Sequence, residues 1–337
     1  MDREGAEHRQ TIAHGVSRGT GFTEGEEPRL GRKKPTGSLG MRSPLPAAGG
    51  WSQSPGVLRQ TFCHVPGVGI KAEERLWASG VVSWDALGGS VEGVTPRRRE
   101  QLTLHVEESR RQLAERNPLF FAETMPAAEH WRLFPEFRDS VAYVDIETTG
   151  LGGYGDHITT IALYDGRVIR HYVHGQNLSD FKRDIGEYRV LVTYNGKCFD
   201  LPFLRASFGI PLEQVHIDLR YVLASLGYKG GLKACERSLG LDRGDLAEVD
   251  GYFAVMLWND YKRRQNVQAL ETLLAYNIRD VVNLEALLIE AYNRKVAAVP
   301  FGPQLVLPAA APPPEPFRAH EPTVRRLKAS MGFSFVR

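Results

Sequence analysis

The sequence predicts an α/β fold in which a mixed β-sheet is flanked by helices and preceded by a small helical segment. Three apolar runs at 141–147, 158–164 and 167–173 indicate consecutive strands, and the dipeptide Asp165-Gly166 is typical of a hairpin turn between the last two. After residue 179 helical and strand patterns alternate, which favours a sheet covered by helices.

The composition is that of an ordinary globular protein. Hydrophobic residues make up 42% of the 337 residues and charged residues 24%, so the chain can form one large or two modest domains. The net charge of +2 leaves only local patches as nucleic-acid contacts. Neither a membrane span nor a secretory signal is readable. Three cysteines without CxxC spacing indicate reduced thiols, and we expect a cytoplasmic protein.

The chain begins with a polar region and a short helical one. Residues 1–57 are rich in Gly, Ser, Pro and Arg without apolar periodicity, which predicts a disordered extension. Residues 58–95 contain a Pro-Gly-Val-Gly turn, a short helix and a second helix start at Ser83, and so resemble a helix-hairpin-helix element. The backbone at Gly67 and Gly69, with Lys71 beside it, can then approach a phosphate. A plain helical hairpin packed on the next domain explains this pattern equally well.

The rest of the chain divides into three predicted parts. Residues 96–138 read as a charged helix over 96–117 followed by a linker, and its arginines at 97–99 either follow a nucleic-acid backbone or form a solvated helix end. Residues 139–294 form the main domain. Its later strands are predicted at 190–193 and 214–217, and its helices at 179–187, 202–208, 218–226, 231–239, 248–263 and 267–292. Residues 295–337 are Pro-rich, which predicts a disordered tail.

An acidic pair ends the first strand, in the run VAYVDIETTGL. Asp145 and Glu147 are two residues apart, so their side chains project from the same face of the strand. Burying two like charges side by side is costly unless a cation neutralises them. Carboxylate oxygens suit Mg²⁺ or Mn²⁺. Acidic pairs at strand ends are also common as the beginnings of solvated loops.

Two further acidic positions occur later in the chain. Asp200, in YNGKCFDLPFL, precedes a predicted helix, where simple capping by its carboxylate is an alternative to a metal site. Tyr276 and Asp280, in AYNIRDVVNLEAL, are four residues apart and share one face of a long amphipathic helix. A solvated outer position is the alternative for Asp280.

Taken together and in this order, the three motifs resemble the DEDD exonuclease superfamily in its tyrosine-bearing branch, DEDDy. The YNGKCFDLPFL segment is similar to the proofreading domains of family-B DNA polymerases, and closer still to the stand-alone YprB-type ribonuclease-H-like family. The segment HIDLRYVLASLGYKGGLKACERSLG and the helical start with SWDAL also resemble that family. The resemblance covers about residues 58–293 and implies a ribonuclease-H-like fold.

The resemblance also implies a reaction and the residues that carry it. It implies a 3′-5′ exonuclease that hydrolyses phosphodiester bonds of single-stranded or frayed nucleic acid to nucleoside 5′-monophosphates. Two divalent metal ions, Mg²⁺ or Mn²⁺, about 3.5–4 Å apart clamp the phosphodiester in such a mechanism. Asp145 bridges both ions, while Glu147 and Asp280 complete the water-activating one. Asp200 holds the second ion, and Tyr276 orients the attacking water.

Several neighbouring residues are weaker candidates. Thr148 and Gly150 follow the acidic pair and are placed to contact the terminal nucleotide. Asn195 either reaches the substrate backbone or shapes a turn. Phe199 and Phe203 either stack on terminal bases or pack in the core. Lys229 and Lys233 either contact phosphate or form a solvated helix start.

Three functions are consistent with the sequence. The first is the 3′-5′ exonuclease. The second is a 3′-processing ribonuclease of the ribonuclease D type, and the third is a non-catalytic nucleic-acid-binding module. The partner expected in each case is nucleic acid, DNA or RNA with a 3′ end for the two enzymes, and no membrane is involved. DNA and RNA stay open as substrates because the contacts that read a 2′-hydroxyl cannot be located from sequence.

Overall fold

The computed structural model describes residues 56–88, 94–247 and 249–332. For residues 331 and 332 it describes the backbone alone. The predicted disordered extension lies outside the described residues except at its end. There Gly56 is buried and a 3₁₀-helix begins at Val57, whereas the sequence predicts that the extension continues to residue 57.

The centre of the fold is a five-stranded mixed sheet with the strand order β3-β2-β1-β4-β5. Its strands are β1 (Val141–Thr148), β2 (Ile158–Tyr164), β3 (Ile169–Val173), β4 (Val190–Thr193) and β5 (Val215–Asp218). The first three strands pair antiparallel, whereas β1 and β4, and then β4 and β5, pair parallel. The predicted ribonuclease-H-like mixed sheet is confirmed.

The central strand β1 is buried on both faces by side chains that alternate with a period of two. Ala142, Val144 and Ile146 enter one hydrophobic cluster, while Val141 and Tyr143 enter another on the opposite side of the sheet. Asp145 and Glu147 continue the row of Val141 and Tyr143. Their carboxylates therefore face the side on which the long helix α10 packs against β1 and β2.

Helices surround the sheet and form the N-terminal segment. They are α1 (Ile70–Ala78), α2 (Pro96–Ala114), α3 (Pro118–Thr124), α4 (Phe134–Phe137), α5 (Phe181–Asp184), α6 (Asp200–Phe208), α7 (Leu219–Ser225), α8 (Leu232–Ser238), α9 (Gly251–Arg264), α10 (Val267–Val296) and α11 (Glu321–Gly332). Short 3₁₀-helices at Val57–Gln60, Trp84–Gly88, Ala127–Leu133, Arg138–Ser140, Leu178–Asp180, Ile185–Glu187, Gly244–Leu246 and Gly302–Leu305 complete the described elements. Among these residues, no helix combines the length and apolarity needed to cross a membrane.

The N-terminal segment, residues 56–88 and 94–140, packs on the sheet domain. Its apolar residues belong to the same hydrophobic cluster as Val141 and Tyr143 of β1. A buried ion pair between Glu73 of α1 and Arg132, with 2.8 Å between oxygen and nitrogen, ties the segment together. The second helix predicted from Ser83 is the 3₁₀-helix Trp84–Gly88. Phosphate binding by this segment stays a prediction.

The predicted disorder of residues 295–337 is wrong for the part that the structure describes. Helix α11 buries Val324 and Leu327 against α9 and α10 side chains, and Arg326 of α11 forms an ion pair with Asp260 of α9. The Pro-rich strap that precedes α11, residues 307–316, is fixed by an ion pair between Glu315 and Arg279 at 2.6 Å. The strap is ordered because partners distant in sequence hold it, and a compositional argument cannot detect such partners.

Candidate metal centre

Three carboxylates meet where β1 and α10 pack together. One oxygen from each of Asp145, Glu147 and Asp280 lies within 4.8 Å of the other two. Asp145 and Glu147 share a face of β1 because of the strand period, and Asp280 lies on the face of α10 that covers this strand. Glu147 is 9% exposed and Asp280 is 4% exposed. This group offers oxygen ligands of the type that divalent cations bind.

The carboxylates repel one another at this site. Burial raises the pKa of Asp145 and Glu147 well above the ordinary range, and the charges of Asp280 and Asp200 add to that effect. Burial also raises the pKa of Asp280 to about 6, although the nearby Arg243 guanidinium opposes it. A divalent cation would relieve the repulsion, so the donor set and its electrostatics fit such an ion.

Asp200 lies beside this group rather than within it. Its Oδ1 accepts a hydrogen bond from the backbone N–H of Ile146 at 3.2 Å, which fixes the carboxylate to the strand that carries Asp145 and Glu147. Burial raises its pKa to about 7, against the effect of backbone hydrogen bonds. The structure therefore brings all four predicted acids to one place, with three close together and the fourth adjacent.

Tyr276 lies one helical turn before Asp280 and is 7% exposed. Two cations lie against its ring: Lys233 Nζ is 5.4 Å and Arg243 Cζ 5.6 Å from the ring centre. Within the described part of the chain, its hydroxyl has no hydrogen-bond partner. Burial, then the charges of Asp280, Glu147 and Asp145, raise the pKa of Tyr276 above its usual value. The phenol is therefore protonated at neutral pH and can donate a hydrogen bond.

Asn277 is a site residue that the sequence argument missed. Its Nδ2 donates to Asp145 Oδ2 at 2.6 Å and to the Asp145 carbonyl oxygen at 3.2 Å, while its Oδ1 accepts from Thr160 at 3.1 Å. It is fully buried. A signal existed, because an Asn in mid-helix is unfavourable by propensity and Asn277 lies three residues before Asp280 on the same face.

Arg243 is a second missed residue, and no sequence signal points to it. Its guanidinium donates to Asp280 and to Glu236, and both ion pairs are buried, with Arg243 only 5% exposed. Glu236 also accepts from Asn283 at 2.8 Å. Arg243 lies in the loop between α8 and α9, so its approach to Asp280 depends on tertiary packing. Among the described residues its Nη1 has no acceptor although it is buried.

The loop after β1 is held by its own hydrogen bonds. Thr148 Oγ1 donates to the Gly150 carbonyl oxygen at 2.5 Å, and the carboxylate of Asp156 accepts from the N–H of Gly152 and of Gly153. A Cβ at Gly150 would lie 2.5 Å from the Asp156 carboxylate oxygens, so a larger residue there would displace the carboxylate that accepts from Gly152 and Gly153. Contact of Thr148 and Gly150 with a nucleotide stays a prediction.

The other candidates are placed as follows. Asn195 has φ of +66° and a side-chain oxygen that accepts from Arg220 at 2.5 Å, so it shapes the turn after β4. The half-buried rings of Phe199 and Phe203 lie 5.7 Å apart, centre to centre. Lys229 is exposed, whereas Lys233 hydrogen-bonds to the Val249 carbonyl oxygen and contacts Tyr276. Gly67, Gly69 and Lys71 lie at the start of α1 in the N-terminal segment.

Comparison with known families and curated proteins agrees with this geometry. The family model described as RNase_H superfamily matches residues 142–292, a range that contains all four acids and Tyr276. The protein YprB of Bacillus subtilis is 28% identical over 189 residues, which are 50% of this chain and 45% of YprB. The chain thus matches less than half the length of that relative. The resemblance to the ribonuclease H superfamily and to YprB, predicted from the motifs, is confirmed.

Similar solved structures are more distant. The family B DNA polymerase of the archaeon Pyrobaculum calidifontis gives a TM-score of 0.35 at 20% identity, over 50% of this chain and 27% of the polymerase. Brucella melitensis NrnC with bound Mg²⁺ gives 0.31 at 20% identity, over 48% of this chain and 78% of NrnC. The same NrnC bound to pGG gives 0.26 at 18% identity, over 48% and 87%.

Proposed function

We propose, for a chain whose residues 142–292 match the ribonuclease H superfamily model, that the protein is a metal-dependent 3′-5′ exonuclease of the DEDDy type. The observation that carries this proposal is the group of carboxylates from β1 and α10, in which Glu147 and Asp280 are buried and Asp145 is half-buried, and of which one oxygen each lies within 4.8 Å of the others. Such a group is expensive to bury without a counter-ion. Tyr276 beside it matches the position that distinguishes the tyrosine branch.

The residues that would hold two divalent ions, Mg²⁺ or Mn²⁺, are Asp145, Glu147, Asp200 and Asp280. When bound, such ions supply positive charge for a phosphodiester and acidify a water molecule. The chain contributes the placement of these ligands. Asn277 holds the Asp145 carboxylate in one orientation through its bond of 2.6 Å, and the backbone N–H of Ile146 does the same for Asp200.

Tyr276 would orient the attacking water rather than deprotonate it. Its raised pKa keeps the proton on the phenol, so the free hydroxyl acts as a donor or an acceptor and not as a strong base. The ring is held between α10 and the cations of Lys233 and Arg243, which limits its rotation. Removal of the hydroxyl should therefore slow hydrolysis more than it weakens substrate binding.

A direct test uses oligonucleotides labelled at either end. Single-stranded DNA and RNA carrying a 5′ or a 3′ label are incubated with the full chain and Mg²⁺, Mn²⁺ or EDTA. We expect a 5′-labelled ladder that shortens one nucleotide at a time, early release of the 3′ label as a mononucleotide, and no turnover in EDTA. The two nucleic acids tested side by side identify the preferred substrate and so test the alternative of a ribonuclease D type enzyme.

Matched variants separate the site from contaminating nucleases. Asp145→Asn and Asp280→Asn should abolish the ladder, whereas Asp180→Asn should retain it because that side chain is 49% exposed and lies in the 3₁₀-helix after β3, outside the acidic group. Binding of oligonucleotide without cleavage under every metal would contradict the proposal and favour a binding module. Release of the 5′ label first would contradict the polarity.

A further inference from the structure

A cavity of about 700 Å³ lies between the end of β4 and the start of α8. Its walls connect to the acidic group from two sides. Asn195, on one wall, belongs to the loop that ends at Asp200. Leu232, on the other, precedes Lys233, whose ammonium contacts the ring of Tyr276. The cavity therefore adjoins the segments that carry Asp200 and Lys233.

The side chains that line this cavity carry positive charge, whereas the nearby acidic group carries negative charge. Arg220 and Lys229 line it and are both exposed, and none of the described residues that line it carries a carboxylate. Arg220 is held in place by its bond to Asn195, and Lys229 is exposed. A cationic cavity next to an acidic centre fits an anionic ligand that spans both.

Two tyrosine rings provide flat surfaces in the same cavity. The hydroxyl of Tyr194 donates to the Gly230 carbonyl oxygen at 2.5 Å, which fixes that ring. The guanidinium of Arg294 lies 5.3 Å from the ring centre of Tyr228 and limits its movement. Fixed aromatic rings beside cations are the arrangement by which proteins bind single-stranded nucleic acid, with bases on rings and phosphates on cations. The volume lies within the roughly 300–1,000 Å³ usual for small-ligand sites.

We propose that this cavity binds the nucleotides upstream of the 3′-terminal two in a single strand whose 3′ end lies at the carboxylates. The inference rests on the proposed function and adds the path of the substrate. Lys229 contacts a phosphate, and Tyr194 and Tyr228 stack on bases. The cavity then favours strands longer than a dinucleotide, because a dinucleotide does not reach it.

The test compares substrates of different length in matched variants. Lys229→Glu reverses one charge in the cavity, and Arg263→Glu reverses the charge of an exposed arginine on α9. The kcat/KM is measured on single strands of ten, four and two nucleotides and on the p-nitrophenyl ester of thymidine 5′-monophosphate. For Lys229→Glu we expect a fall of about tenfold on the ten-nucleotide strand and a salt dependence that is shallower by about 0.7 in log–log slope. The dinucleotide and the ester should be hydrolysed as by the wild type.

A second variant tests the rings. Tyr228→Leu keeps an apolar side chain and removes the stacking surface, so it should lower affinity for the ten-nucleotide strand by about fivefold or more. Equal rates for Lys229→Glu and Arg263→Glu on the long strand would overturn the inference. An equal loss on the ester would also overturn it, because the lysine would then act on the reaction itself.

The failure of this inference is distinguishable from the failure of the proposed function. If the wild type hydrolyses none of these substrates, the exonuclease proposal is wrong, and the cavity is then tested by fluorescence anisotropy of a labelled ten-nucleotide strand. Weaker binding by Lys229→Glu than by Arg263→Glu supports the cavity, and equal binding overturns it. Binding of thymidine 5′-monophosphate as tight as that of the strand overturns it as well, since the cavity would then hold a free nucleotide.

Discussion

The substitution Asp200→Asn should stabilise the metal-free protein while it abolishes hydrolysis. Asp200 is 4% exposed, and burial raises its pKa from 3.8 to about 7. The asparagine is nearly the same size, and its side-chain oxygen can still accept the hydrogen bond from the N–H of Ile146. The substitution thus removes a buried charge and keeps the local contacts.

The magnitude and its pH dependence follow from that pKa. Because the folded-state pKa lies above the unfolded one, the native state binds more protons between the two values, and wild-type stability falls as pH rises through this window. At pH 8 a displacement of about three pKa units corresponds to roughly 4 kcal/mol of destabilisation. At pH 5 the same relation gives only about 1–2 kcal/mol. Asp200→Asn should regain these amounts in EDTA.

The assay is urea denaturation in EDTA at pH 5 and pH 8, with Asp218→Asn as the matched control. Asp218 is also buried, but its two oxygens accept the N–H groups of Asn195, Lys197 and Arg220 at 2.7–3.1 Å. Replacing one oxygen by an amide places a donor against a donor, which should cost about 1–3 kcal/mol at pH 5. At pH 8 the cost should be smaller, because the lost Asp218 charge no longer repels the Asp200 carboxylate. If Asp200→Asn were no more stable than the wild type at pH 8, the inference that the buried Asp200 carboxylate destabilises the metal-free protein would be refuted.

Three further predictions concern the cation, the buried arginine and the N-terminal turn. Mg²⁺ or Mn²⁺ at about 100 times its dissociation constant should add about 2.7 kcal/mol to the free energy of unfolding at pH 8 and less at pH 5, where protons compete for the carboxylates; calorimetry showing no difference between the two pH values would argue against carboxylate ligands. Arg243→Met should destabilise the protein in EDTA by about 3–5 kcal/mol, since it leaves Asp280 and Glu236 without their buried partner; a loss under about 1 kcal/mol in urea titrations would show that the ion pairs contribute little. Gly69→Ala should fold as the wild type, because a Cβ there meets no atom within 4 Å. It should still weaken oligonucleotide binding if the backbone at this turn approaches a phosphate, and unchanged anisotropy would leave the segment as a plain helical hairpin.

The elements that sequence predicts best are those whose signal is local. The alternation along β1 identifies its two buried faces, and from it the common direction of Asp145 and Glu147 follows directly. The amphipathic pattern of α10 likewise places Tyr276 and Asp280 on one face. Periodicity does not show that β1 and α10 pack against each other. The resemblance of the three motifs to the DEDD superfamily is what predicted that their acidic residues meet.

The elements that sequence predicts poorly depend on partners far away in the chain. Arg243 has no periodic neighbour, and only the packed structure shows its guanidinium against Asp280. The same holds for the Pro-rich strap and α11. Its composition indicates a segment that buries little surface by itself. Ion pairs of Glu315 with Arg279 of α10 and of Arg326 with Asp260 of α9 hold it in place, and the sequence of the segment contains no sign of these partners.

The distribution of positive charge around the acidic group argues that the protein leaves room for cations. Arg243 partly offsets the charge of Asp280, and Asn277 satisfies only one oxygen of Asp145. Asp200 receives one hydrogen bond from β1 and no ion pair among the described residues. By contrast, the buried Glu73 in the N-terminal segment pairs with Arg132 and accepts two backbone N–H groups. This contrast within the described part of the chain agrees with the proposed metal site, and the pH dependence of Asp200→Asn tests how much carboxylate charge the protein itself leaves uncompensated.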